Sequence, residues 1–116
     1  MPVIRGEEVE TVSPLPGFEL KIMVDNTRGS QAITLVAETL HPGAKIPVHR
    51  HKVEGAIYVY AGSGYLNIEG EGKYKIEAGM GLLVPANSWY FLGNDGSEDL
   101  KIVTAHPAVE ITREEK

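Results

Sequence analysis

The chain contains no cysteine, a single tryptophan and no apolar run long enough to cross a membrane. Without thiols there are no disulfides, no thiolate metal sites and no cysteine nucleophile. Any bound metal must therefore rest on imidazole, carboxylate or phenolate. A membrane-spanning helix needs roughly 18 or more consecutive apolar residues, and no such run occurs. Basic residues are also few: eleven Lys and Arg stand against sixteen Asp and Glu, a formal net charge of −5. They form no stripe, which argues against nucleic acid as a partner. The opening MPVIRGEEVE is acidic and lacks the apolar stretch of a secretory signal, so the cytoplasm is the expected compartment.

Turn-forming residues, by contrast, are abundant, with thirteen glycines and seven prolines in 116 residues. They cluster at Pro14 to Gly17, Asp25 to Ser30, Pro42-Gly43, Gly62 to Gly64, Gly70 to Gly72, Pro85 to Ser88 and Asn94 to Glu98. Between them lie FELKIMV, QAITLVAETL, AIYVYA, YLNIE, KYKIE, GLLVP and LKIVTA, rich in Ile, Val, Tyr and Thr. Several alternate in polarity as half-buried strands do, and none is long and periodic enough for a helix. The length suits one domain, and short strands at this spacing predict an all-β sandwich, jelly roll or barrel. Residues 1–12 read as a loose edge strand, and the charged tail over 110–116 reads as frayed at its end.

The chemistry concentrates on His49-Arg50-His51. Residues two apart on a strand share a face, so both imidazoles can converge on one point, and neutral imidazole suits divalent Fe, Mn, Ni or Zn. The alternative is a pair of barrel-lining imidazoles that bond to neighbours or to a ligand.

Around this pair the sequence resembles the cupin family, most clearly over residues 40–107. The first cupin motif is matched by Gly43, His49, His51, Gly62 and the spacing between them, and the second by Gly79, Pro85, Asn87, Tyr90 and Asn94. The resemblance implies a double-stranded β-helix, or jelly-roll barrel, with motif one over 43–62 and motif two over 79–94. It also implies a small-molecule pocket inside the barrel and a homodimer.

The family's ligand set is three His and one Glu, and here it is incomplete. The motif's Glu falls on Gly55, Glu54 sits one position early, and the last His is Tyr90. A one-residue step turns a strand side chain to the other face, so Glu54 reaches the metal only through a bulge or loop shift. Gly55 opens space beside the His pair for a substrate. Tyr90 is a phenolate ligand, a proton donor or a filler of the cavity.

Glu38 is a further candidate: if Thr34, Val36, Glu38 and Leu40 face inward, it is a carboxylate in an apolar pocket, a ligand or a base of raised pKa. If Ile33, Leu35 and Ala37 face inward instead, Glu38 is solvated. Val103 and Ala105 are the expected inward, substrate-lining pair of the last long strand, which leaves His106 pointing away. His41 and His106, each before a proline, are expected at the surface or rim. Arg50 should face outward to an acid partner, and Tyr58, Tyr60, Trp89 and Phe91 suit the outer sheet or a dimer interface.

Two functions follow. One is a metal-dependent enzyme of oxygenase, isomerase or cyclase type, with a divalent metal on His49, His51 and Glu54 and with Tyr90 and Glu38 as catalytic groups. The other is a metal-free module that binds a sugar-like or aromatic effector.

Overall fold

A computed structural model describes residues 3–109 and 111–116. Among them there is no α-helix, and eleven strands carry the fold. These are β1 (Val12–Leu15), β2 (Phe18–Val24), β3 (Thr34–Leu40), β4 (Lys45–Arg50), β5 (Gly55–Ala61), β6 (Ser63–Ile68), β7 (Gly72–Glu77), β8 (Gly81–Val84), β9 (Tyr90–Gly93), β10 (Leu100–His106) and β11 (Glu114–Glu115). They form a six-stranded sheet, β1-β2-β3-β10-β5-β8, and a five-stranded sheet, β11-β4-β9-β6-β7. All pairings are antiparallel. The all-β jelly-roll expectation is met.

The two ends of the chain depart from expectation. The edge strand begins only at Val12, and a 3₁₀ turn at Gly6–Glu8 precedes it. Residues 1–2 and 110 lie outside the described residues. The tail does not fray: Glu114 pairs with Arg50 and Glu115 with His49, which adds β11 to the edge of the second sheet. The Arg50 guanidinium pairs with Glu114, Lys116 pairs with Glu69, and both cations lie over the Trp89 ring. Arg50 therefore faces outward to an acid, as expected.

Inward positions change character along the barrel. Leu40, Ile46, Leu92, Leu100 and Ile102 close one end with Phe18, Ile57, Val59, Leu66, Ile68 and Ile76. Fully buried aliphatics such as Leu40, Leu100 and Ile102 each contribute about 1.5–3 kcal/mol through removal from water. Further along the same strands the inward residues turn polar: Glu38 on β3, His49 on β4, Tyr90 on β9, Thr104 and His106 on β10. One end is a core and the other a site.

Two backbone positions hold the apolar end together. Gly62 adopts φ 80°, and a Cβ there would lie 2.1 Å from the Asp99 carbonyl oxygen, so no other residue fits. The buried Asn94 amide donates to the Leu40 and Glu98 carbonyls, both at 2.8 Å, and its oxygen accepts from the Gly96 N–H. All of its polar atoms are satisfied, as burial demands.

His41 is at the rim, as expected, and ties three segments together. Its Nδ1 is 2.7 Å from Asp99 and its Nε2 is 3.1 Å from Glu19. Carboxylates only accept, so both ring nitrogens must donate. The Asp99 bond foremost, and then that to Glu19, raises the His41 pKa above its ordinary value. A raised folded pKa gives a stabilisation that is complete below the unfolded value, about 6.5, and is lost as pH rises through the folded one. The melting-temperature difference between wild type and His41→Gln should be largest at about pH 6 and shrink towards alkaline pH. Parallel melting curves across that range would contradict the bridge.

Candidate functional site

The site forms where inward side chains of both sheets meet. On β4, a bulge sets the phase: Ile46 pairs with Leu92 and His49 with Tyr90, three steps on one strand against two on the other. Without it, Ile46 and His49 would face opposite ways. Pro47 sits inside the bulge, where its missing N–H costs no ladder bond. The Pro47 carbonyl, freed from regular pairing, accepts from His49 Nδ1 at 2.7 Å. Tyr90, the direct cross-strand partner, lies with its ring 4.4 Å from that of His49. His51 follows at 5.1 Å from His49, ring to ring.

The opposite wall comes from β3 and β10, and here the structure corrects two expectations. Leu100, Ile102, Thr104 and His106 are buried, while Lys101, Val103 and Ala105 lie on the outer face. Val103 and Ala105 do not line the cavity. His106 does, with its ring 4.7 Å from that of His51. On β3 the set Thr34, Val36, Glu38 and Leu40 is the inward one, so Glu38 faces the cavity.

Glu54 is exposed and its carboxylate is outside the cavity, because β5 alternates from a buried Gly55. No bulge returns it to the cavity lining. Gly55 does not open room for a substrate either. A Cβ at Gly55 would lie 2.7 Å from His106 Cε1. The volume that a side chain at position 55 would use holds the His106 imidazole.

The three imidazoles share one bonding pattern. His49 Nδ1 faces the Pro47 carbonyl, His51 Nδ1 the Thr112 carbonyl at 2.8 Å, and His106 Nδ1 the Glu54 carbonyl at 3.2 Å. A carbonyl only accepts, so each Nδ1 carries the proton and each neutral ring keeps its lone pair on Nε2. Among the described residues those Nε2 atoms have no hydrogen-bond partner, and all three rings line the cavity. Burial, partly offset by the Pro47 bond, lowers the His49 pKa to about 4. Burial likewise lowers His51 and His106. All three are neutral at pH 7.

Glu38 and Tyr90 complete the polar set. Glu38 accepts from Thr104 Oγ1 at 2.6 Å, and burial outweighs that bond, so its pKa is raised. Burial foremost, and then the Glu38 charge, also raises the pKa of Tyr90, which favours the phenol. The cavity, of about 130 Å³, is otherwise walled by Phe18, Leu20, Val36, Ile46, Ile57, Leu92 and Ile111. Arg113 from the C-terminal segment also lines it, a residue that sequence reasoning passed over with the rest of the tail.

For a divalent first-row metal the donor chemistry fits: three neutral imidazoles, each fixed through Nδ1 as ligating histidines are. Among the described residues, no three His, Asp or Glu side chains already stand around one point at ligand distance. His106 was missed because it precedes Pro107 and its strand has apolar residues on both faces. Lys101, which shares parity with Val103 and Ala105, was the signal that this face is the outer one.

A cupin domain model matches residues 36–106, and the chain belongs to the cupin family. The chain is 33% identical to a gentisate 1,2-dioxygenase of a Ralstonia species over 98 residues, which are 84% of this chain and 26% of that protein. It is 29% identical to auxin-binding protein 1 of Arabidopsis thaliana over 93 residues, which are 72% of this chain and 47% of that one. The chain thus spans about a quarter of the first relative and about half of the second. The polyketide cyclase RemF of Streptomyces resistomycificus has the same fold, with a TM-score of 0.85 at 19% identity, covering 99% of this chain and 84% of that one.

The packing of His106 against Gly55 is testable. Gly55→Ala should destabilise the protein by about 1–3 kcal/mol through overpacking, measured by urea unfolding. In a His106→Ala background most of that cost should vanish. An equal cost in both backgrounds would show that the ring is not what fills the space.

Proposed function

We propose that the protein is a metal-dependent cupin enzyme of the oxygenase, isomerase or cyclase kind, acting on a small molecule inside the barrel. The observation that carries this reading is the set of three neutral imidazoles, His49, His51 and His106, with Nδ1 pinned and all three rings lining one cavity. His106 here takes the part that the family motif gives to the glutamate now replaced by Gly55. A bound Fe, Mn, Ni or Zn ion would supply Lewis-acid polarisation, or dioxygen activation in the case of iron.

The chain's own residues do the rest. Glu38 keeps one oxygen on Thr104 and presents the other to the cavity. Its raised pKa suits a group that exchanges a proton with a substrate. Tyr90, held as a phenol, donates a hydrogen bond to a substrate oxygen. The aliphatic walls exclude water, which strengthens each of these polar contacts.

The reading places the protein in the cytoplasm as a homodimer. The outer face of the six-stranded sheet suits a second copy: Tyr58, Tyr60 and Leu83 are 53%, 47% and 62% exposed there.

A second reading, a metal-free effector-binding module, is favoured by the lack of three side chains already gathered at ligand distance. The likeness to an auxin-binding protein supports the effector-binding part of that reading.

Elemental analysis of untagged protein separates the two. The enzyme reading predicts stoichiometric metal that is lost in His51→Ala and in His106→Ala but kept in His41→Ala. Glu38→Gln should keep the metal and lower turnover by about 10²–10⁴-fold. Metal-free wild type whose melting does not respond to added Fe, Mn, Ni or Zn would overturn it.

A further inference from the structure

The cavity wall includes one side chain whose charge no pH in the working range removes. Arg113 lines the cavity together with Ile111, and both belong to the segment that leads into β11. That segment is anchored on either side of Arg113. Thr112 accepts from His51, Glu114 pairs with Arg50, and Lys116 pairs with Glu69. Arg113 is thus held where its charge reaches His49, His51, Tyr90 and Glu38.

Its partners within the protein leave that charge largely uncompensated. The ion pair with Glu115 spans 3.5 Å, and the Glu115 side chain is 67% exposed, so water screens the interaction. Glu38, the one carboxyl among the described residues that line the cavity, accepts from Thr104 Oγ1 and makes no ion pair with Arg113. A guanidinium at the rim of a largely aliphatic cavity, paired among the described residues only with the exposed Glu115, is complementary to an anion that can enter. Its planar fork matches a carboxylate with two parallel hydrogen bonds.

We propose that the cavity takes a small carboxylate-bearing molecule and that Arg113 is the residue that selects it. This rests on the reading of the cavity as the substrate site, and it holds with or without a metal beside the imidazoles. The volume of about 130 Å³ suits a small ligand with its carboxylate near the guanidinium. The side chain and not the backbone makes the selection. An Arg113→Met change therefore leaves the Thr112 carbonyl, and with it His51, in place.

The probes are acetate and its neutral isostere acetamide, titrated at pH 7 and constant ionic strength. Binding is followed by two-dimensional NMR in protein stripped with a chelator and again after zinc addition, with zinc content measured in parallel. Wild type should bind acetate about tenfold or more tightly than acetamide, the effect of a charge-assisted bond. Arg113→Met should lose that preference and keep the wild-type zinc content, and Arg113→Lys should retain part of it. Equal binding of the two probes by wild type, or an undiminished preference in Arg113→Met, would overturn the proposal. Absence of zinc uptake would count against the metal reading alone, because the stripped protein already reports on Arg113.

Discussion

Each of the three cavity imidazoles gives its Nδ1 proton to a backbone carbonyl, and the character of the site depends on that constraint. The acceptors come from three different places: a bulge on β4, the chain just before β5, and the segment before β11. A backbone carbonyl cannot donate, so the tautomer is decided by the fold and not by the solvent. Burial then keeps the rings neutral, which leaves three unprotonated Nε2 atoms on rings that line one cavity. An imidazolium cluster in the same place would repel both a metal and itself. The polar end of the barrel thus tolerates three histidines because each has half its bonding satisfied by main chain.

The exchange of a strand side chain for a histidine on a neighbouring strand is a packing solution as much as a chemical one. Gly55 and His106 fill one volume between them, and neither makes sense without the other. A side chain at position 55 would have to move the imidazole, and a smaller residue at 106 would leave a void beside a glycine. Interiors close-packed to native density do not leave such a choice unresolved. The chain keeps the barrel of its family while drawing a candidate donor from a different strand.

Much of this was legible in the sequence, and the failures are physical. The His49 and His51 pair was readable because a two-residue period on a strand has one meaning. Tyr90 followed from the spacing of motif two. The parity of Glu38 stayed open because Ile33, Leu35 and Ala37 are as apolar as Val36 and Leu40. The same ambiguity misplaced Val103 and Ala105, and with them His106. Only Lys101, on the face that proved to be outside, broke the tie. The tail was harder: Ile111 and Arg113 reach the cavity because their neighbours Thr112 and Glu114 bond to His51 and Arg50, some sixty residues away in the chain. No local pattern carries that information.

The most direct test is long-range ¹H–¹⁵N NMR of the histidine side chains at pH 7, before and after adding zinc. The account predicts that His49, His51 and His106 are neutral, with the proton on Nδ1 and a bare Nε2. On zinc addition those three Nε2 signals should shift together while His41 is unaffected. An Nε2–H tautomer at any of the three, or zinc that leaves them unchanged, would contradict it.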